Sequence, residues 1–212
     1  MNTIIRGIVT VFFVTLNAFA AALCYKAGVG VMAFDAFNQT ASNVLNIKVG
    51  DVVLVMNIVF LLGQIILLRR DFKIRQLLQI PVSFILSGGI NFALYDLYKF
   101  EVNSYPINLL IFLLGVVIMA FAIAVVMEMD FVTFPLEGFW MAFSRVTGKD
   151  FAKSRQAFDV ILIVVSLGLS LIYNKPLAIR EGTIIGALLF SPTMGFFMEK
   201  LSPILKRLDL KD

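Results

Sequence analysis

Six apolar stretches, each about as long as a bilayer is thick, constrain this chain more than any other feature. They are Ile4–Cys24, Val52–Leu68, Leu77–Tyr95, Ile107–Met127, Ala157–Tyr173 and Thr183–Met198. A helix needs about 20 mostly apolar residues to cross the hydrocarbon core, and about 17 suffice. Lipid offers no water to unpaired backbone groups, and barrel-type alternation is absent, so the spans read as helices. Composition agrees: 60% of the 212 residues are hydrophobic and 15% charged, with a mean hydropathy of +0.93. Soluble domains carry about 25% charged residues. The expected fold is an all-α, polytopic membrane bundle forming a single domain. Arg6 ahead of an apolar run suggests a signal peptide. That run is too long for a signal core and leads to no small-x-small cleavage site, so it reads as a retained span.

Basic residues set the expected orientation. With the N-terminus in the cytoplasm, 13 of the 18 lysines and arginines fall inside, following the positive-inside bias. Lys26, Lys48, Lys99, Lys175 and Arg180 fall outside. Both termini are therefore expected in the cytoplasm, with residues 201–212 a basic tail near anionic headgroups.

The chain also repeats itself. Sliding it by 102 positions sets Ala18-Phe19-Ala20 on Ala120-Phe121-Ala122, Asp35 on Glu137, Ser42 on Ser144 and Asn57 on Asp159. After a three-residue insertion, Phe72-Lys-Ile-Arg75 meets Leu177-Ala-Ile-Arg180. Repeat one covers about 4–97 and repeat two about 107–200. Three spans per repeat is an odd number, so the second repeat is expected to enter from the opposite side. In transporters built this way, substrates sit near the midplane between the repeats. Two shorter stretches, Val31–Leu45 and Phe131–Val146, mix aromatic and polar residues. They are expected as short re-entrant or interfacial helices.

Candidate residues follow from that register. Asp35 and Glu137 begin the two short stretches, and an ionisable group near lipid must pair, bind something or face water. The competing role is dipole neutralisation in a first helical turn. Asn57 and Asp159 lie inside spans. Asp159 sits one turn past Arg155, where an ion pair is the alternative, and Asn57 with Gln64 lines a polar path or hydrogen-bonds a neighbouring helix. Asn38 and Trp140 complete the substrate-binding set, Trp140 reading as an interface anchor or an aromatic wall. Ser87-Gly88-Gly89 and Ser191-Pro192-Thr193 are expected to break the third spans or to pack them closely. Ala18 with Ala22, and Ala120 with Ala124, are small-xxx-small pairs.

Other chemistries find no support. There is no histidine, so His-based metal sites and triads are excluded. No catalytic residue, metal site, cofactor or nucleic-acid surface is expected, and Gly28-Val-Gly30 is too short for a dinucleotide fingerprint. Ala27-Gly-Val-Gly30, Asp35 and the Gly50 leading into a span resemble the YczE/YyaS/YitT-like bacterial membrane proteins. This chain has Ala33-Phe34 where those commonly show Pro-Trp. The resemblance implies a multi-pass protein of the bacterial plasma membrane and a transporter of small molecules. The leading expectation is a secondary transporter of a cationic or proton-coupled substrate, as a single chain or a homo-oligomer. The alternatives are the substrate-binding subunit of a multi-component vitamin transporter and a non-transporting assembly or regulatory protein.

Overall fold

The computed structural model describes residues 3–208 and 210, and among these it is all helical with no strand. Eight α-helices follow in order: α1 (Thr3–Ala27), α2 (Ala33–Leu45), α3 (Val49–Leu68), α4 (Gln79–Asn91), α5 (Tyr105–Glu128), α6 (Pro135–Thr147), α7 (Phe151–Ile172) and α8 (Glu181–Arg207). Six, counting α4 with the turns around it, are long and apolar enough to cross a membrane. The two short stretches form α2 and α6. The segment Ile74–Leu78 just before α4 is 3-10 helical, and α4 passes into a π-helical turn over Phe92–Leu97.

The third spans are not broken where glycine and proline suggested. α4 runs through Ser87-Gly88-Gly89, and α8 runs through Pro192 and Pro203. The lost proline donors are tolerable in a helix whose neighbours and local adjustments satisfy the freed carbonyls. Residues 201–207 continue α8; residues 209, 211 and 212 of the expected tail lie outside the described residues.

The core is a close crossing of α1 and α5. Ala18, Ala22, Ala120 and Ala124 are all fully buried. A Cβ built on Gly115 would come within 2.6 Å of the Cys24 sulfur, and one on Gly89 within 2.7 Å of the Ala18 methyl. Small residues thus let these backbones approach, which is how helices associate where lipid removes any hydrophobic advantage. α4 packs on α1 and α8 on α5. The short helices pack crosswise: α2 lies against α7, and α6 lies against α3.

Local backbone geometry recurs along the register of the sequence. Positive φ occurs at Gly28 and Asp130, at Asn46 and Gly148, and, beyond the insertion, at Arg69 and Asn174. Both short helices end in a left-handed cap, followed in each case by a serine clasp. Ser42 donates to the Ile47 carbonyl at 2.5 Å and Ser144 to the Lys149 carbonyl at 2.6 Å. Arg180 donates to the Gly28 carbonyl at 2.7 Å, and Arg75 to the Asp130 carbonyl at 2.7 Å. Each arginine precedes a third span and holds the loop that opens a short helix.

One fastening has no counterpart. α3 is tied to α4 at both ends. Asn91 accepts from the Gly50 amide at 2.9 Å and donates to Asp51 at 2.8 Å. At the far end, Gln64 and Gln79 exchange amide hydrogen bonds of 2.8 and 3.0 Å, both side chains fully buried. No comparable packing joins α7 to α8 among the described residues.

Overpacking the central crossing is the sharpest test of this core. Ala18→Leu should cost about 1–3 kcal/mol, read as a lower unfolding temperature in detergent. Leu62→Ala, on a half-exposed outer face, should leave that temperature nearly unchanged.

Candidate functional site

The crosswise packing brings α2, α3, α6 and α7 together, and these helices carry Asp35, Asn57, Glu137 and Asp159. Asp35 lies in the first turn of α2 and is 9% exposed. Such a carboxyl is costly to bury without partners, and Tyr25 supplies one, its hydroxyl donating to Oδ1 at 2.9 Å. Tyr25 is itself buried near the end of α1. The turn through Gly28-Val29-Gly30 reverses the chain so that Asp35 of α2 reaches Tyr25 of α1. Gly30 sits at φ +110° with Thr183 of α8 3.0 Å from where a Cβ would stand. The Val29 carbonyl accepts from the Gly182 amide at 2.8 Å. The glycine pair thus serves a tight approach to α8.

Across from α2, Arg155 on α7 bonds Asp159 one helical turn on. Arg155 also acts electrostatically on Asp35 and on Glu137, which starts α6. One guanidinium therefore pairs with Asp159 and attracts two further carboxylates carried on α2 and α6. Asp159 does form the ion pair that competed with a binding role, but the pair is part of the same cluster as Asp35 and Glu137.

Trp140 is not an interface anchor. It is 9% exposed, and its ring meets those of Phe139, Phe143 and Phe158 at 5.2 Å between centroids. Phe60 joins this group to Phe34 of α2. Such tilted and edge-to-face arrangements are favourable beyond burial alone. The rings pack with Leu136 and Met56 into one apolar cluster drawn from α2, α3, α6 and α7.

Several buried polar atoms there have no protein partner. Asn38, one turn after Asp35 and fully buried, lies against the Tyr25 hydroxyl and leaves its amide oxygen unbonded. The Asn57 amide nitrogen and the Trp140 indole N–H are in the same position. Buried polar groups are nearly always satisfied, so each such exception asks for an explanation. Gln64, by contrast, does not line a path with Asn57. It is held by Gln79 and by the Pro135 carbonyl at 3.1 Å. Among the described residues, no group of acidic or cysteine side chains is arranged to hold a metal.

Sequence reasoning missed Tyr25 as the partner of Asp35, and the loop-holding roles of Arg75 and Arg180. The arginines were equivalent in the register, and that equivalence was the available signal. Tyr25 gave none, because its pairing depends on how sharply the glycine turn reverses the chain.

Fold and site together define a multi-pass, helical membrane-type protein with a charged cluster and an aromatic cluster among α2, α3, α6 and α7. The chain belongs to DUF6198, a family of unknown function, which it matches over residues 4–199. No curated protein and no solved structure matches it.

If Tyr25 holds Asp35, Tyr25→Phe should lower stability by about 1.5–3 kcal/mol, the range for a hydrogen bond to a charged group. Tyr173→Phe, at a half-exposed ring, should shift thermal unfolding little. Equal shifts for the two variants would mean that the Tyr25–Asp35 bond contributes nothing.

Proposed function

We propose that this chain is a small-molecule secondary transporter of the bacterial plasma membrane, built from two inverted three-span repeats. Substrate binds where α2 and α6 meet, contacted by Asp35, Glu137, Asp159 and Asn38, with Asn57 and Trp140 alongside. Both termini lie in the cytoplasm. The resemblance to YczE/YyaS/YitT-like proteins supports the same class and location.

The observation that carries the reading is the pairing of backbone devices. Gly28 with Asp130, Asn46 with Gly148, and the two arginine-to-carbonyl bonds all fall on one register. Apolar composition repeats easily by chance, whereas left-handed caps at matched positions do not. The crosswise packing agrees: α2 on α7 and α6 on α3 exchange under that register. Inverted repeats put the binding site at the interface between them and permit alternating access by rocking. The unmatched fastening fits this reading as well. With α3 latched to α4 and α7 apart from α8, equivalent elements stand in two arrangements, which transport requires to interchange.

Orientation is testable directly. In a background carrying Cys24→Ser, Ile47→Cys and Lys149→Cys place thiols at equivalent, exposed positions after the two short helices. An impermeant maleimide added to intact cells should label Ile47→Cys only, with Lys149→Cys reacting after lysis. Labelling of both from one side would refute the inverted arrangement.

Transport is tested in proteoliposomes with a solute found by thermal-shift screening. Asp35→Asn and Glu137→Gln should each slow uptake at least about tenfold, the weight of one hydrogen-bonded charge removed from a buried site. Normal uptake by both variants would remove the acidic pair from the mechanism.

A further inference from the structure

A cavity of about 650 Å³ opens where several helix ends meet. Its walls are the C-terminal end of α2, the start of α3, Tyr95 in the π-helical turn after α4, and the loop from α7 to α8. Asn43, Asn46, Lys48, Asp51, Tyr95 and Lys175 face it. It lies at the opposite end of α2 from Asp35, so it is separate from the charged cluster around Arg155.

The balance of charge in the cavity is positive. Lys48 and Lys175 both border it, and neither forms an ion pair among the described residues. Lys48 lies over the Tyr95 ring at 5.5 Å, and Asp51 accepts from Asn91 at 2.8 Å. Two like charges beside one space repel each other, and an anion between them turns that repulsion into attraction. The side-chain amides of Asn43 and Asn46 bond no other described residue, so their donors are free as well.

Lys48 also breaks a local rule. It is the N-cap residue of α3 and supplies no side-chain cap. A cation there opposes the helix dipole, at a position that favours aspartate or asparagine. The first turn is capped from α4 and its π-helical turn instead: the Val49 amide donates to the Tyr95 hydroxyl at 3.2 Å, and Gly50 to Asn91. Under the register Lys48 falls on Asp150, which does cap α7, accepting from the Lys153 amide at 2.8 Å. Positions where a sequence departs from such rules concentrate at functional sites.

The counterpart of the cavity is bridged. Asn43 falls on Arg145 and, past the insertion, Pro176 falls on Asp71. Arg145 and Asp71 pair at 3.5 Å, joining the end of α6 to the segment before α4. Asn43 and Pro176 cannot make that pair, and the space they border stays open.

We propose that this cavity binds a phosphate monoester, with Lys48 and Lys175 as counter-charges and the Asn43 and Asn46 amides as further donors. A monoester carries a charge of about −1.5 to −2 at neutral pH, which two lysines match, and its three free oxygens accept from several donors at once. A planar carboxylate calls for the fork of an arginine, whereas lysine binds phosphate as a point charge. The same group is offered by a soluble glycerol phosphate and by a lipid headgroup reaching the span ends that form the walls. The site stands whether or not the chain transports a solute.

The full chain in non-ionic detergent, freed of phospholipid, is titrated calorimetrically with glycerol 3-phosphate and with dihexanoyl phosphatidic acid, its acylated form. Ionic strength is held constant with sodium chloride. Saturable heat beyond that of empty micelles is expected. Binding of glycerol 3-phosphate assigns the site to a soluble ester, and binding of the acylated form alone assigns it to a headgroup. Lys48→Gln and Lys175→Gln should each weaken binding at least about tenfold, the contribution of one charge-assisted hydrogen bond. Lys153→Gln, at the other end of α7 from Lys175, should change it less than about twofold, because solvent screens so distant a charge. No saturable heat from either compound, binding that survives both variants at the cavity, or an equal loss in Lys153→Gln would each overturn the proposal. The native titrations need no variant, so the test holds if one of them fails to fold.

Discussion

Everything in this molecule hangs on the close approach of α1 and α5. Helices in lipid gain nothing from hiding apolar side chains, so association must come from backbones brought near one another. Ala18, Ala22, Ala120, Ala124 and Gly115 make that possible. With the two first spans joined in this way, each short helix packs more on the other half's second span than on its own. The charged cluster exists because of that exchange: Asp35 meets Arg155 only because α2 lies on α7.

The cluster shows how polar groups are distributed in a chain of this kind. Those that fasten helices are fully paired, as with Gln64 and Gln79, or Asn91 with Gly50 and Asp51. Those between the short helices are not: Asn38, Asn57 and Trp140 keep unbonded atoms. A half-satisfied buried network is an expensive arrangement for stability, and such costs tend to be retained where function needs them. Unbonded atoms remain as well on Asn17 of α1 and Ser170 of α7, so want of a partner does not by itself mark a ligand.

Much of this was legible in the sequence. The six spans and two short helices follow from apolar length, and α7 and α8 begin before those readings because polar ends such as Lys153 and Glu181 add helical turns that hydropathy does not register. The register matched Asp35 with Glu137, and Arg155 acts electrostatically on both. What failed were inferences from single residues. Of the two readings open at the Gly88-Gly89 and Pro192 segments, close packing holds at Gly89 against Ala18, and the breaks do not form, because a continuous hydrogen-bonded helix is the cheaper solution in lipid. Trp140 suggested an interface anchor, but crosswise packing put it indoors. Tyr25, and the latch between Gln64 and Gln79, depend on which helices become neighbours, which no local pattern records.

The two arginine bonds have a consequence for how far the halves can diverge. Arg75 and Arg180 grip carbonyl oxygens, which every residue possesses, so the acceptor positions are indifferent to side chain. One is glycine and the other aspartate, yet both adopt the same left-handed turn. Shape is thereby uncoupled from identity at the very corners that define each half. The two halves can lose nearly all resemblance as text and still fold alike, each turning where the other turns.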